Sequence, residues 1–188
     1  MSANTAPLLS ISNAARVINN GGVVAYPTES VYGLGCDPSS TTAIQRLLEL
    51  KARDPHKGLI VIAASQQQLS SWLAPLTSQW QQRLDKDWPG AVTFVVPAAD
   101  GISPLITGGR DTIAVRVSAN PLVQALCTAC DHALISTSAN ISGELALTSA
   151  EALHNRFGQT LDGIVEGELG DLDKATPIYD VRSGEQLR

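Results

Sequence analysis

Hydroxyl and amide side chains follow a short apolar run in the second half of this chain. Leu134 and Ile135 precede the segment 136–143, which reads Ser-Thr-Ser-Ala-Asn-Ile-Ser-Gly. A buried polar group without a hydrogen-bond partner costs about 1–3 kcal/mol, so a cluster of such groups at the end of a strand needs partners. Either these side chains satisfy one another in a turn, or they face a ligand that is rich in donors and acceptors.

A second segment, 26–35, has the same chemistry and reads Tyr-Pro-Thr-Glu-Ser-Val-Tyr-Gly-Leu-Gly. It follows an apolar run that is typical of a buried strand, and its aliphatic hydroxyl groups belong to Thr28 and Ser30. In open α/β sheets, ligands bind outside the carboxyl ends of the strands. The two segments therefore predict two walls of one pocket. The alternative is a tight loop in which Thr28 and Ser30 bond only their own backbone.

Three cations, Lys51, Arg53 and Lys57, lie at the end of a predicted helix and in the loop that follows it. In one interpretation they form a solvated basic loop, since a cation near a helix C-terminus gains about 0.3–1 kcal/mol from the macrodipole. In the other interpretation they bind phosphate, because arginine makes bidentate contacts and lysine supplies a point charge.

Arg116 is a further cation, and it lies inside the predicted strand 112–117. Strand alternation places it on the same face as Ala114. An arginine in the middle of a strand either pairs with a carboxylate of the protein or receives one from a ligand. Both alternatives are open at this point.

The composition excludes several classes of protein. Of the 188 residues, 44% are hydrophobic and 16% are charged, which excludes disorder and fits one compact domain. A formal net charge of −5 argues against bulk nucleic-acid binding, and no apolar run is long enough to span a membrane. Cys127 and Cys130 lie at the end of a predicted helix, and the chain has three cysteines in all. We expect structural cysteines in a cytoplasmic protein, without a disulfide framework or a zinc site.

The order of predicted elements indicates an α/β protein. Helices are predicted at 11–20, from Ser40 or Thr41 to about Lys51, and at 66–73, 78–87, 121–130 and 149–157. Strands are predicted at 23–26, 59–64, 92–96, 112–117, 133–136, 163–166 and 178–181. Because no clear helix separates the strands at 92–96 and 112–117, part of the sheet is expected to be antiparallel. The predicted fold is a single domain, 1–188, with an open, twisted, mixed parallel and antiparallel sheet and flanking helices.

Taken together, these segments resemble the YrdC-like family over nearly the whole chain. The match runs in order through 26–35, Lys-Ala-Arg-Asp-Pro-His-Lys-Gly-Leu at 51–59, Trp-Pro-Gly-Ala-Val-Thr-Phe at 88–94, 112–117 and 136–143, and it ends with the segment 175–188. The resemblance implies a twisted α/β fold and a nucleotidyltransferase. Such an enzyme condenses L-threonine, bicarbonate and ATP to threonylcarbamoyl-adenylate and pyrophosphate, the first step of a tRNA modification.

The resemblance also implies the roles of individual residues. Those expected at threonine are Thr28, Ser30, Arg116, Ser138 and Thr176. Those expected at ATP are Arg53, Lys57, Thr112, Asn140, Thr148 and Arg188. Lys51, Arg53 and Lys57 are the expected catalytic residues, and Glu29 is a candidate general base by proximity. Mg²⁺ is expected to arrive with the ATP phosphates, without a dedicated protein site.

The expected partners are the proteins that transfer the threonylcarbamoyl group to tRNA, with a possible direct contact to tRNA or double-stranded RNA. One competing hypothesis is a non-catalytic RNA-binding module that uses the basic face 51–57. Another is an enzyme that makes a carbamoyl-adenylate from carbamoyl phosphate.

Overall fold

The computed structural model describes residues 5–172 and 175–188, which form a single α/β domain. The strands of this part of the chain are β1 (Leu8–Leu9), β2 (Val24–Pro27), β3 (Tyr32–Gly35), β4 (Ile60–Ala63), β5 (Thr93–Pro97), β6 (Thr112–Val117), β7 (Leu134–Ser138), β8 (Gly163–Val165) and β9 (Ile178–Asp180). The helices are α1 (Ile11–Asn19), α2 (Thr41–Leu50), α3 (Gln66–Leu69), α4 (Ser78–Asp87), α5 (Pro104–Thr107), α6 (Pro121–Cys130) and α7 (Ala150–Phe157), with a 3-10 helix at Pro55–Lys57.

The strands form one nine-stranded sheet in the order β1-β8-β2-β3-β7-β4-β6-β5-β9. The pairs β1–β8, β2–β8, β4–β6 and β5–β9 are parallel, and the other neighbours are antiparallel. β7, which carries the first part of the hydroxyl run, lies in the centre of the sheet. Both β2 and β7 run antiparallel to β3, which lies between them. The polar segments that follow β2 and β7 therefore emerge at the same edge.

The two faces of the sheet are covered to different extents. One face, which includes Leu34 and Ile135, is buried in a large apolar core. On the opposite face, Ile62 and Leu134 belong to a smaller cluster with α1 and α6. Arg116 pairs in register with Ile62, and Ser136 and Ser138 alternate with residues of the other face, so all three lie beside this smaller cluster. The polar site is the part of this face that the helices do not cover.

Gly35 permits the close packing between β2 and the centre of the sheet. A Cβ atom at this position would lie 2.6 Å from the Tyr26 ring and 2.6 Å from the carbonyl oxygen of Ile135. Tyr26 is fully buried, and its hydroxyl donates a hydrogen bond of 3.4 Å to that same carbonyl. A larger residue would push the Tyr26 ring away from the strand next to the hydroxyl run.

The predicted fold class, an open mixed sheet with flanking helices in one domain, is confirmed. β1, α5 and the 3-10 helix at Pro55–Lys57 are additional elements that the sequence does not predict, and two further segments differ from the prediction. The helix predicted at 66–73 ends at Leu69, and Leu73 forms a bridge with Ala98 instead. Residues 32–35, which the sequence does not predict as a strand, form β3 because they pair with β2 on one side and β7 on the other. The extent of the domain, 1–188, stays a prediction, and residues 1–4 and 173–174 lie outside the described residues. No helix in the described ranges is long and apolar enough to cross a membrane.

Candidate functional site

The polar face of the sheet forms a cleft of two adjoining cavities. Cavity A, of about 320 Å³, contains Ser30, Arg116, Ser138 and Thr176, among others. Cavity B, also of about 320 Å³, is reached from the other side of a shared wall. That wall consists of Arg53, Leu59, Ile60 and Arg188, which line both cavities.

A larger, open depression of about 650 Å³ lies between α1 and α2 and differs in its chemistry. Its Arg46 forms a two-contact ion pair with Asp162, at 2.6 and 3.1 Å. The charges of Arg46 and Asp162 therefore compensate one another. The cleft of cavities A and B holds most of the hydroxyl and cationic side chains that the sequence singled out, so it is the candidate site.

The hydroxyl run satisfies itself in part and faces the cleft in part, so the two sequence interpretations both apply. Ser138 Oγ donates a 2.6 Å hydrogen bond to Asn140 Oδ1. Asn140 Nδ2 donates to the carbonyl oxygens of Ile141 and Glu144, at 2.9 and 2.8 Å. Ser136, Ser138 and Asn140 nevertheless line cavity A. The internal bonds therefore orient these side chains toward the cavity rather than removing them from it.

Lys51 lies behind this loop and holds it in place. Its side chain is 1% exposed, and its Nζ atom donates to the main-chain carbonyl oxygens of Ser138 and Asn140. The Ser142 amide donates in turn to the Lys51 carbonyl at 2.8 Å. Burial, reinforced by the nearby Arg53 charge, lowers the pKa of Lys51 to about 8. Lys51 does not line either cavity, so it acts on the site through the loop that it holds.

Arg53 enters the cleft because the backbone turns sharply at the residue before it. Ala52 has a φ of 45°, in the left-handed region that non-glycine residues rarely adopt. Lys51 consequently points into the protein while Arg53 reaches the wall between the cavities. The Arg53 Nε and Nη2 atoms donate to the Gly58 carbonyl at 3.2 and 2.9 Å. Burial, together with the Arg188 charge, lowers the pKa of Arg53, so the basic loop is not simply solvated.

Arg110 is a cation of the cleft that sequence reasoning missed. It lines cavity B, and its guanidinium donates to the carbonyl oxygens of His56 and Lys57 at 2.9 and 3.1 Å. A Cβ atom at Gly58 or at Gly108 would lie 2.8 Å from Arg110 Nη2, so both glycines make room for this side chain. Its position two residues before β6 is the one signal in the sequence that points to the cleft.

Arg116 lies at the floor of cavity A with its side chain nearly buried. Its Nη1 atom donates a 2.8 Å hydrogen bond to Thr176 Oγ1 and lies 3.6 Å from Glu29 Oε2. Glu29 Oε1 accepts a 2.7 Å hydrogen bond from the Ser118 hydroxyl. Arg116 thus has a carboxylate neighbour within the protein, but at a distance beyond a hydrogen bond.

Arg188 joins the two halves of the cleft from the end of the chain. Its Nη2 atom donates to the Thr176 carbonyl at 3.1 Å. Partial burial lowers the pKa of Arg188, and the charge of Arg116 lowers it further. Arg53, Arg188 and Arg116 therefore form a row of mutually repelling cations along the cleft, which favours anionic ligands.

The remaining predicted residues are distributed unevenly. Thr28 lines cavity A, although its hydroxyl also donates to the Val31 carbonyl at 2.7 Å, as the tight-loop interpretation predicts. Lys57 and Thr112 line cavity B. Thr148 is exposed just before the N-cap residue of α7, Ser149, and lines neither cavity. The predictions of its role and of the other ligand contacts stay predictions.

Carboxylates are scarce in the cleft. Of the described residues that line the two cavities, Glu144 is the sole acidic one, and it forms a 2.9 Å ion pair with Arg156. Within residues 5–172 and 175–188, no group of three or more His, Cys, Asp or Glu side chains could hold a metal ion.

The three cysteines are free and buried, and burial raises the pKa of Cys127 to about 12.

Comparison with known proteins gives a consistent result. The Sua5_yciO_yrdC family model, described as "Telomere recombination", matches residues 16–188. A threonylcarbamoyl-AMP synthase of Halorhodospira halophila is 48% identical over 95% of this chain and 93% of its own length. One of Nitrosococcus oceani is 47% identical over 93% of this chain and 95% of its own length.

Solved structures show the same fold. P. abyssi Sua5, crystallised with L-threonine, is 32% identical with a TM-score of 0.87 over 94% of this chain. The match covers 52% of the Sua5 chain, so this chain spans about half the length of that relative. E. coli YciO is 27% identical with a TM-score of 0.78, over 90% of this chain and 82% of its own.

Proposed function

Because this chain belongs to the Sua5/YciO/YrdC family, which confirms the resemblance seen in its sequence, we propose that it is a threonylcarbamoyl-AMP synthase. In this reaction L-threonine, bicarbonate and ATP give L-threonylcarbamoyl-adenylate and pyrophosphate. The observation that carries the proposal is the pair of adjoining cavities with arginines on their common wall. Such a site can hold two anionic substrates and bring them into contact.

The side chains that line cavity A suit the binding of an amino acid. The carboxylate of threonine requires a fixed cation, and the Arg116 guanidinium can make a bidentate contact with it. Hydroxyl groups of Ser30, Ser138 and Thr176 surround the same space and match the hydroxyl and amino groups of threonine. The Sua5 relative that was crystallised with L-threonine supports this assignment.

The side chains that line cavity B suit the binding of a nucleotide. Its apolar lining includes Val95, Ala114, Ile178 and Leu187, which suits the face of an adenine ring. Four cations, Arg53, Lys57, Arg110 and Arg188, surround that lining and suit the phosphates. Thr112 adds a neutral polar contact in cavity B, whereas Asn140, which was also expected at ATP, lines cavity A.

The chemistry needs alignment more than a reactive side chain. The threonine amine reacts with bicarbonate to form a carbamate and water, and a carbamate oxygen then attacks the α-phosphorus of ATP. The bond from that phosphorus to the bridging oxygen breaks, and pyrophosphate leaves with the electron pair. Arg53 and Arg188 on the common wall offset the repulsion between the carbamate and the phosphates.

We further propose that Mg²⁺ enters as part of the Mg-ATP substrate. Glu29 lies behind Arg116 rather than in the cavity lining, and Glu144 is paired with Arg156. The donor set of the cleft therefore suits a metal that keeps its waters and is carried by the phosphates.

The enzyme class, the cellular location and the partners are part of the same proposal. The enzyme is a nucleotidyltransferase of the cytoplasm, where ATP and the precursor tRNA are found. The mixed anhydride that it makes is hydrolytically labile, so a protein that transfers the threonylcarbamoyl group to tRNA consumes it. Direct contact with RNA would use the cations of the cleft, since the protein as a whole carries a net charge of −5.

The test is threonine-dependent release of pyrophosphate from Mg-ATP and bicarbonate, with the adenylate identified by mass spectrometry. Arg182→Ala is a matched control, because Arg182 is an exposed arginine that pairs with Asp111 outside both cavities. A folded protein that forms no threonine-dependent product would overturn the proposal. Product from carbamoyl phosphate without threonine would instead indicate a carbamoyl-adenylate synthase. Salt-sensitive RNA binding without turnover would indicate an RNA-binding module.

A further inference from the structure

We propose that Glu29 is a positioning residue that orients the guanidinium of Arg116 for the threonine carboxylate, and that it is not the general base. This inference rests on the proposed function, since it concerns the binding site of threonine in cavity A. The observations that carry it are the buried contacts of Glu29, Ser118 and Arg116.

The carboxylate of Glu29 is held rigidly on one side. Its Oε1 atom accepts the 2.7 Å hydrogen bond from Ser118, a residue that is 0% exposed. The Ser118 hydroxyl is itself oriented, because it accepts a 3.1 Å hydrogen bond from the Asn120 amide. The position of the Glu29 carboxylate therefore depends on Ser118, which directly follows β6 and lies two residues beyond Arg116.

The backbone of Glu29 is also fixed. Its carbonyl oxygen accepts a 3.0 Å hydrogen bond from the Leu172 amide, and the Thr28 carbonyl accepts one of 2.9 Å from Gly170. A Cβ atom at Gly170 would lie 2.9 Å from Glu29 Cα, so the two segments touch directly. The backbone of Glu29 cannot shift toward the cavity without breaking these contacts.

The distance between Glu29 and Arg116 explains how one carboxylate can assist the binding of another. At 3.6 Å, Glu29 Oε2 attracts the guanidinium but accepts no hydrogen bond from it. Arg116 Nε is likewise buried with no acceptor in the described part of the chain. The ion pair thus compensates the buried positive charge without taking a hydrogen bond from the guanidinium. A threonine carboxylate therefore has no hydrogen bond to Glu29 to displace, and the bond that Nη1 donates to Thr176 Oγ1 holds the guanidinium from another side.

The same geometry separates Glu29 from the reacting amine. Glu29 does not line cavity A, whereas Arg116 does. One carboxylate oxygen is occupied by Ser118, and the other is buried next to Arg116. A general base must lie within hydrogen-bond reach of the proton that it removes. The Glu29 carboxylate contacts Ser118 and Arg116 and does not line the cavity.

Glu29→Gln tests the inference, because it removes the charge and keeps an oxygen for the Ser118 hydroxyl. We expect the KM for threonine to rise by about tenfold or more, with kcat, the KM for ATP and the pH profile of kcat close to those of the native enzyme. Ser118→Ala should raise the KM for threonine in the same direction by a smaller factor, and it serves as the second variant if Glu29→Gln does not fold. Glu151→Gln, at an exposed position in α7, is the control.

Threonine binding measured by calorimetry without ATP separates this inference from the proposed function. If the native protein binds threonine but forms no adenylate, weaker binding by Glu29→Gln still supports the positioning role. A collapse of kcat together with loss of the acidic limb of the pH profile would overturn it in favour of a general base. Equal losses of threonine and ATP binding would overturn it in favour of a merely structural role.

Discussion

The ammonium group of Lys51 donates hydrogen bonds to both oxygens of Asn140, to the main-chain carbonyl at 2.8 Å and to Oδ1 at 3.2 Å. Asn140 Oδ1 also accepts the hydrogen bond from Ser138. One buried lysine at the end of α2 thus fixes the side chain that orients the hydroxyl wall of cavity A. Lys51 lines neither cavity, so it affects the substrates by holding this loop in position.

At neutral pH, Lys51→Met should lower kcat/KM by about 100-fold while changing the free energy of unfolding by less than about 2 kcal/mol. The effect on stability is small because removing the unfavourable burial of a charge offsets the lost hydrogen bonds. The effect on activity is large because the loop 138–142 loses the side chain that holds it in place. Amide hydrogen exchange in that loop should become faster. Lys86→Met, on the exposed side of α4, is the control, and unchanged exchange and kinetics in Lys51→Met would contradict the anchoring role.

The stability of the protein should depend on pH through Lys51. Its pKa is lowered from 10.5 to about 8 in the folded state, chiefly by burial. Between these values the unfolded chain binds more protons than the folded protein, so the free energy of unfolding rises with pH in that window. Denaturant unfolding of the native protein and of Lys51→Met should diverge between pH 8 and 10.5, in favour of the native protein. A constant difference would show that the lysine keeps an ordinary pKa.

Arg116→Ala should weaken threonine binding by about 100-fold and ATP binding by less than about threefold, since a bidentate contact between charged groups is lost at one substrate only. Arg116→Lys should recover part of the affinity, because a lysine restores the charge without the fork. Calorimetry with each substrate measures both effects. Comparable losses for the two substrates would contradict the assignment of Arg116 to threonine.

Arg110→Ala should weaken the binding of ligands that carry two or more phosphates and affect a monophosphate little. We expect ATP and pyrophosphate to lose about tenfold in affinity and AMP to lose little, because the guanidinium faces cavity B beside Lys57. The affinities of the three ligands for the variant and for the Arg182→Ala control provide the measurement. An equal loss for AMP would mean that Arg110 only supports the loop 56–58.

Much of the fold follows from local patterns. The alternation of apolar residues in β6 places Arg116 on one face, and the apolar runs before Thr28 and Ser136 are strands that end at one edge. β3 was missed because its Tyr-Gly-Leu-Gly sequence has weak strand propensity, and it becomes a strand only by pairing on both sides. The helix expected at 66–73 is short for a related reason, since the bridge of Leu73 to Ala98 competes with helical hydrogen bonds.

The sequence by itself determined the fold class, the family and the chemical character of the site, because these depend on residue types at short spacing and on the order of the segments. Only the tertiary structure decided which side chains meet. Lys51 and Asn140 are 89 positions apart, Glu29 and Ser118 are also 89 apart, and Arg110 and His56 are 54 apart. Such contacts depend on the order in which strands pair, and burial of the whole apolar surface selects that order. Local spacing therefore indicated cations and hydroxyl groups whose partners were open, and the folded sheet showed which residues hold Arg53, Arg116 and the hydroxyl loop in place.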